Sequence, residues 1–526
     1  MPTLNWIGKD KVINHHMDVP YKILEHSYGF DNGKQSKSET NSGNKIIHGD
    51  NLEALKSLLP EYEGKVKCIY IDPPYNTGNE NWVYNDNVND PKIKKWLGKV
   101  VGKEAEDLSR HDKWLCMMYP RLKLLHKLLA KGGAIFISID DNEAFYLKIL
   151  LDEIFGTSGY KANFIWKSRQ IVDSRNQSMI SKDHEYIYVY GKSSDFSLRG
   201  KISDKSKYTN PDNDPRGSWM SNSILGLANA EQRPNLHYDL VDIETGNVYP
   251  CPPNTGWRYS KETMKSKLEE NRIFFPSKKN GRPREKKFLN ELASDYTGFS
   301  TILNEKVGYT LNGTRTVRDI IPDSQFAFPK SYELVLTLIE QATSKNSIVL
   351  DSFAGSGTTA HAVLNLNKQD GGSRKFILVE MENYAENITA ERVKRVIKGY
   401  GEEKKAVEGT GGSFDYYELG KPLFLENQML NEDVGLDKIR EYVWFSETRQ
   451  SFVENKTSEE HLLGEINNTA YYFYYFKDKM TTLDDRFLRN IKTKSEQYII
   501  YADNCLLEEG LMQKYHIIFK KNAVGT

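Results

Sequence analysis

Asp72-Pro73-Pro74-Tyr75 places a carboxylate, a stiff turn and an aromatic ring within four residues, directly after the apolar run Val66-Lys67-Cys68-Ile69-Tyr70-Ile71. Such a run reads as a buried strand feeding a tight turn. Asp72 can accept one N–H of an amino group while the Pro73 carbonyl accepts the other. An exocyclic amine on a nucleobase is a poor nucleophile because its lone pair is delocalised into the ring, and two such acceptors localise it on nitrogen. Pro73 and Pro74 hold the turn rigid and carry no N–H to misdirect the geometry. Tyr75 offers a face on which an extruded base can stack, worth roughly 1–3 kcal/mol, against an extrusion cost of about a few kcal/mol. Asp72 acts by orientation and charge placement and needs no unusual pKa. Alone, the tetrapeptide also suits a plain proline turn with Asp as a turn residue. The following Asn76-Thr77-Gly78 and a glycine motif far downstream favour catalysis.

That second motif, Phe353-Ala354-Gly355-Ser356-Gly357-Thr358-Thr359, follows the short apolar run Ser347 to Asp351. It is not G-x-G-x-x-G, and no Lys follows its second glycine as a P-loop requires. Gly355 and Gly357 let a ligand approach the backbone at the carboxyl end of a strand. A loop of this kind suits the amino-acid part of S-adenosylmethionine, a sulfonium methyl donor. Asp351 and Phe353 are counted with this donor set. Glu380 ends the next strand and can take two hydrogen bonds from ribose hydroxyls, with Glu382 a competitor. Asp50 can face an adenine amino group or cap the helix beginning near Leu52. Lys330 can pair with the donor carboxylate, or be a solvated lysine at a helix start.

The elements that must position these groups alternate. Lys45 to Asp50 reads as a strand, Leu52, Leu55, Leu58 and Leu59 as a helix, and Val66 to Ile71 as a strand. Asn79 to Leu108 is polar and reads as a loop or lid. Leu115, Met118, Leu122, Leu125 and Leu129 mark an amphipathic helix closed by Gly132-Gly133. A strand (134–139), a helix (143–155) and strands at 163–166 and 185–190 follow. The pattern resumes at Tyr332 to Thr343, Ile348 to Asp351, Thr359 to Leu366 and Phe376 to Val379. Such alternation implies an α/β, doubly wound Rossmann-like sheet. Five regions are expected: an N-terminal extension (1–45), a catalytic half of the core (46–195), a loop-rich inserted region (196–322), a donor-binding half (323–400) and a tyrosine-rich C-terminal segment (401–526). Residues 31–44 read as a mobile loop.

At 526 residues the chain can hold several cores. Lys plus Arg, 72, equals Asp plus Glu, 72, so any surface for a polyanion must be local. Four cysteines without a C-x-x-C pair argue against a zinc ribbon or a disulfide scaffold, and no metal is expected. The first residues do not read as a secretory signal. No run of about eighteen apolar residues is present, so no membrane is expected and a cytoplasmic location is.

These residues resemble the β-group amino-methyltransferases of DNA, in which the catalytic motif precedes the donor motif and a target-recognition insert lies between them. More closely, the chain is similar to modification (Mod) subunits of type III restriction–modification systems. The similarity is carried by Gly49 to Leu52, Ile71 to Gly78, Trp82-Val83-Tyr84-Asn85-Asp86, Asn210 to Gly217, Gly256-Trp257-Arg258-Tyr259 and Leu350 to Thr359. The resemblance covers roughly residues 1–425. It implies a circularly permuted core using S-adenosylmethionine to methylate N6 of adenine in double-stranded DNA. It also implies a homodimer beside a separate restriction subunit. Asp72, Pro73, Pro74 and Tyr75 are then catalytic, and Phe353, Gly355 and Gly357 bind the donor. Ser352 stands where proline or phenylalanine is common, and Ser331 where proline is common.

DNA contacts are expected from a basic run in the insert. It comprises Arg272, Lys278, Lys279, Arg282, Arg284, Lys286 and Lys287, opposed in sequence only by Glu285, with Trp219, Trp257, Tyr259, Phe274 and Phe275 nearby. Lys167 and Arg169 are further phosphate candidates. Alternatives are a cytosine-N4 enzyme, which more often has Ser in place of Asp72, an RNA substrate, a solitary methyltransferase without a restriction partner, and a non-catalytic DNA-specificity module. The DNA sequence recognised is not legible.

Overall fold

The computed structural model describes residues 3–77, 110–174, 179–276, 281–425, 429–453, 459–477 and 479–522. The lid expected at 79–108, the Trp82–Asp86 segment, Lys278 and Lys279 lie outside the described residues. The chain forms two compact units, residues 1–198 with 300–526, and residues 199–299.

The larger unit is built on an eleven-stranded sheet. In chain order its strands are β1 (Lys22–Asp31), β2 (Lys34–Ser36), β3 (Lys45–His48), β4 (Val66–Ile71), β5 (Leu129–Ile139), β6 (Tyr160–Lys167), β7 (His184–Gly191), β8 (Ile302–Leu303), β9 (Ile348–Asp351), β10 (Lys375–Glu380) and β11 (Ser413–Pro422). Across the sheet they run β8-β6-β7-β5-β4-β9-β10-β3-β11-β1-β2. The six strands from β5 to β11 are parallel. Successive residues Cys68, Ile69, Tyr70 and Ile71 of β4 are all buried, so both faces of the sheet are covered. Continuous apolar runs, rather than alternating ones, are what such strands require. The covering helices include α1 (Asn51–Tyr62), α2 (Arg110–Leu128), α3 (Ala144–Phe155), α4 (Thr310–Ile320), α5 (Tyr332–Ala342), α6 (Thr358–Asp370) and α7 (Glu391–Lys398).

The central fact of the topology is that β4 pairs directly with β9, Val349 opposite Cys68 and Leu350 opposite Ile69. Strands separated by some 280 residues of sequence thus end side by side, and both deliver their loops at the carboxyl edge, where open α/β sheets bind ligands. Strand β3 lies on the far side of β10, His48 opposite Glu380, so Asp50 emerges beside the donor strands rather than beside β4.

Several elements differ from expectation. Gly132 and Gly133 do not close α2 but lie inside β5, at a register shift against β4. A Cβ at Gly133 would meet the Val66 carbonyl oxygen at 2.8 Å, so close backbone approach explains that glycine. Residues 22–31 form a long edge-side strand paired with β11, and 34–36 complete a hairpin with it. Residues 413–422 likewise belong to the main sheet. The tyrosine-rich run contributes Thr469–Phe473 to a separate four-stranded sheet with its own core around Tyr472, Leu483 and Ile500. Among the described residues no helix is long and apolar enough to cross a membrane.

The smaller unit holds a three-stranded sheet, with Arg284–Phe288 between Ile273–Phe274 and Trp219–Ser223. Its core is formed by Ile224, Leu240, Trp257, Met264 and Ile273.

Candidate active site

Asp72 leaves the end of β4 into a buried turn. Its Oδ2 lies 2.8 Å from Lys330 Nζ. Its Oδ1 is buried and has no hydrogen-bond partner among the described residues. Burial pushes the Asp72 carboxyl up, and Lys330 partly opposes that. Tyr75 donates its hydroxyl to Glu185 Oε2 at 2.8 Å. The Lys330 ammonium sits 3.4 Å from the same Glu185 oxygen and 4.7 Å from the centre of the Tyr75 ring. One cation therefore bridges two carboxylates and covers an aromatic face. Trp114 of α2 donates to the Pro74 carbonyl at 2.6 Å, which fixes the turn from behind.

The donor loop runs from β9 into α6. Gly355 and Gly357 adopt φ of 52° and 79°, and a Cβ on Gly357 would come within 3.0 Å of the Thr389 carbonyl oxygen. Glycine is needed there on both counts. Glu380 Oε2 accepts from the Gly355 N–H at 2.7 Å and its Oε1 from the Glu382 N–H at 3.0 Å. Asp351 braces the loop internally, accepting from the Phe353 N–H at 3.0 Å and from the Thr359 hydroxyl. Burial lifts both carboxyls to about 7. Beneath the loop the buried Arg392 reaches Ser356 Oγ at 2.7 Å and Thr358 Oγ1 at 2.9 Å.

Two openings meet at Asp72. On the donor side, Asp72, Asp351, Phe353, Gly355, Ser356 and Lys330 line one cavity. Next to it Pro74, Phe353, Glu380 and Met381 line a further pocket with Asn51 and Arg121. On the other side lies a cavity of about 610 Å³ bordered by Asp72, Pro73, Tyr75, Glu185 and Lys330, within the range of small-molecule sites. Arg169 and Lys182 line this larger cavity as well. Asp72, Pro73, Pro74, Tyr75, Asp351, Phe353, Gly355, Glu380 and Lys330 are thus brought together.

The donor residues fit the adenosyl ligand. Glu380 keeps a further lone pair on each oxygen for a hydroxyl, and Gly355 lines the cavity it shares with Asp72, while Gly357 serves the packing of the loop against Thr389.

Some expected roles meet a different geometry. Lys330, expected on a donor carboxylate, rests against Asp72 and Glu185. Asp50 caps α1, its Oδ1 accepting from Leu52 N–H at 2.9 Å and Glu53 N–H at 3.1 Å, and its Oδ2 lies 3.5 Å from Arg121. In the insert the expectation that only Glu285 opposes the basic run is corrected. Arg272 pairs with Glu270 at 2.7 Å and Glu291 at 2.6 Å. Lys286 is buried between Asp212 at 2.5 Å and Asp214 at 2.9 Å. Glu270 is only two residues from Arg272 and lies just outside the run, whereas Asp212 and Asp214 come from 74 and 72 positions before Lys286, invisible to a count of sequence neighbours. Arg282 and Arg284 are exposed, with Arg284 hydrogen-bonded to Ser221. Lys167 is exposed on β6, and Arg169 pairs with Asp173 at 2.8 Å.

The sequence reasoning missed Glu185, Trp114, Asn51 and Arg121. The signals were an acid at the head of an apolar strand and an arginine on the apolar face of α2; Arg121 is buried and bonds Asn51, which donates to the Ser352 carbonyl at 3.0 Å.

A profile of the DNA methylase family, N6_N4_Mtase, matches residues 66–391. The type III restriction-modification enzyme StyLTI Mod subunit of Salmonella typhimurium is 33% identical over 414 residues, 73% of this chain and 61% of that protein. The EcoP15I Mod subunit of Escherichia coli is 33% identical over 435 residues, 72% of this chain and 64% of that protein. The type II methyltransferase M.KpnI of Klebsiella pneumoniae is 34% identical over 378 residues, 68% of this chain and 85% of its own length. The chain spans 61–64% of the length of those two Mod subunits.

Proposed function

The chain belongs to the DNA methylase family, and from that premise we propose that it transfers a methyl group from S-adenosylmethionine to N6 of an adenine extruded from double-stranded DNA. The observation that carries this reading is the cavity lined by both Asp72 and the Gly355–Ser356 loop, with the larger cavity opening on the other side of Asp72. When bound, S-adenosylmethionine supplies an electrophilic methyl on its sulfonium. Asp72 Oδ1 takes one N–H of the adenine amine and the Pro73 carbonyl the other. Lys330 offsets part of the burial penalty on an ionised Asp72. Tyr75 stacks on the base, its ring set by Glu185. Glu380 holds ribose hydroxyls, and Phe353, Gly355 and Gly357 form the donor cradle.

Lys167, Arg169, Arg282 and Arg284 are assigned to phosphate or base contacts. Asp rather than Ser at position 72 favours adenine over cytosine N4. We extend the proposal to a homodimeric modification subunit acting in the cytoplasm beside a separate restriction chain. The test is mass spectrometry of nucleosides from DNA incubated with protein and donor. N6-methyladenine is expected; N4-methylcytosine would move the assignment to the other base, and no methylated nucleoside would refute it. Co-purification with a separate restriction chain co-expressed from the same host tests the partner.

A further inference from the structure

The catalytic turn is gripped at its far end by groups outside the set already assigned. Asn76 follows Tyr75, is fully buried and has φ of 58°, a left-handed conformation that Asn tolerates because its short side chain bonds locally. Its Nδ2 donates to the Arg110 carbonyl at 3.2 Å and to Glu143 Oε1. The same oxygen lies 2.7 Å from His111 Nδ1. Arg110 and His111 open α2, while Glu143 immediately precedes α3. Three stretches distant in sequence therefore converge on one carboxylate. One turn along α2, Trp114 holds Pro74, so the same helix end grips the turn twice.

A carboxylate at this depth is expensive. Glu143 is completely buried, and its Oε2 has no hydrogen-bond partner among the described residues. Burial raises its pKa, with Asn76, His111 and Arg110 opposing. A neutral side chain could accept from Asn76 without that desolvation penalty. What a charge adds is strength: hydrogen bonds to an ionised acceptor are shorter and about twice as strong as neutral ones. Stiffness has value where reacting atoms must be aligned, because a misplacement of about 1 Å costs about 10²-fold in rate.

We propose that Glu143 is a positioning residue that, through Asn76 and braced by His111 Nδ1, holds the Asp72–Tyr75 turn in register with the donor loop. This rests on the methyltransferase reading. The test compares wild type, Glu143→Gln and Glu143→Ala by labelled methyl incorporation into duplex DNA, with donor affinity measured separately by calorimetry. Glu143→Gln should lower kcat about tenfold and Glu143→Ala about a hundredfold, with KM for DNA and donor Kd unchanged within about twofold in both. The Gln variant keeps the size and one acceptor oxygen, and carries the test alone if the Ala variant does not fold. Unchanged kcat in Glu143→Gln overturns the proposal. So does a parallel fall of kcat, donor affinity and melting temperature, which would mark general structural support. Wild-type protein that incorporates no label would instead refute the parent reading.

Discussion

Asp72→Asn separates chemistry from folding. The substitution keeps the shape of the side chain but replaces an anionic acceptor with an amide whose NH2 can face the adenine amine. Removing one preorganised electrostatic contact of this kind costs about 2.7–4 kcal/mol in the transition state, or about 10²–10³ in kcat. Folding should suffer far less. Breaking a buried ion pair is expensive, about 3–5 kcal/mol, when it strands the other charge. Here Lys330 keeps Glu185 at 3.4 Å, so no charge is stranded. The carboxylate removed is one that burial already disfavours. The Tyr75 hydroxyl keeps its bond to Glu185 at 2.8 Å, so the ring stays in place. Donor binding should hold too, since its expected hydrogen-bonding carboxylate is Glu380. The assays are tritiated-methyl incorporation into duplex DNA, calorimetric donor titration and thermal unfolding. A variant within tenfold of wild-type turnover would refute the role of Asp72. Loss of donor affinity in step with turnover would refute the independence of turn and loop.

Donor affinity should rise as pH climbs through about 7, because ribose hydroxyls favour ionised Glu380 and its carboxyl is lifted to about 7 by burial; Glu380→Gln should flatten that dependence, and affinity falling with pH would contradict it. By linkage the ligand-free protein should lose stability as pH rises from about 4 to about 7. There the native state binds more protons than the unfolded one at Glu380 and Asp351, worth of order 3 kcal/mol per carboxyl; unfolding titrations showing stability rising over that window would count against it. Lys286→Met should destabilise the smaller unit by about 3 kcal/mol, since Asp214 is left with Arg216 alone of its two cations. Calorimetry showing an unchanged unfolding temperature would refute this. Arg282→Ala with Arg284→Ala should weaken DNA binding and flatten its salt dependence by about one to two phosphate contacts, leaving donor affinity intact; an unaltered salt slope would remove these residues from the DNA face.

Much of the site was legible because its chemistry is local. Asp72 to Tyr75 and Phe353 to Thr359 are contiguous motifs, each behind a run of apolar residues long enough to be recognised as a buried strand. The supporting residues were not. Glu185 and Trp114 matter only because the sheet order and α2 bring them to a turn at position 72, and no spacing rule links them to it. Linear counting failed for Lys286, and for Arg272 with Glu291, for the same reason, since those carboxylates arrive from distant stretches of chain. The two glycines at 132 and 133 looked like a helix stop because composition does not distinguish a C-cap from a strand pressed against its neighbour.

By itself the chain determined the parts: a rigid acidic turn, a glycine cradle, an alternation of strands and helices, and the order in which they come. Periodicity and turn chemistry act over a few residues, so they survive in a one-dimensional string. Tertiary structure alone decided that β4 lies against β9. Through that pairing it decided that Asp72 and Gly355 line one cavity, that Lys330 rests between two carboxylates, and that Asn76 is tied to Glu143. Those outcomes depend on which buried faces pack together, and burial converts a distant charge from a screened neighbour into the dominant partner.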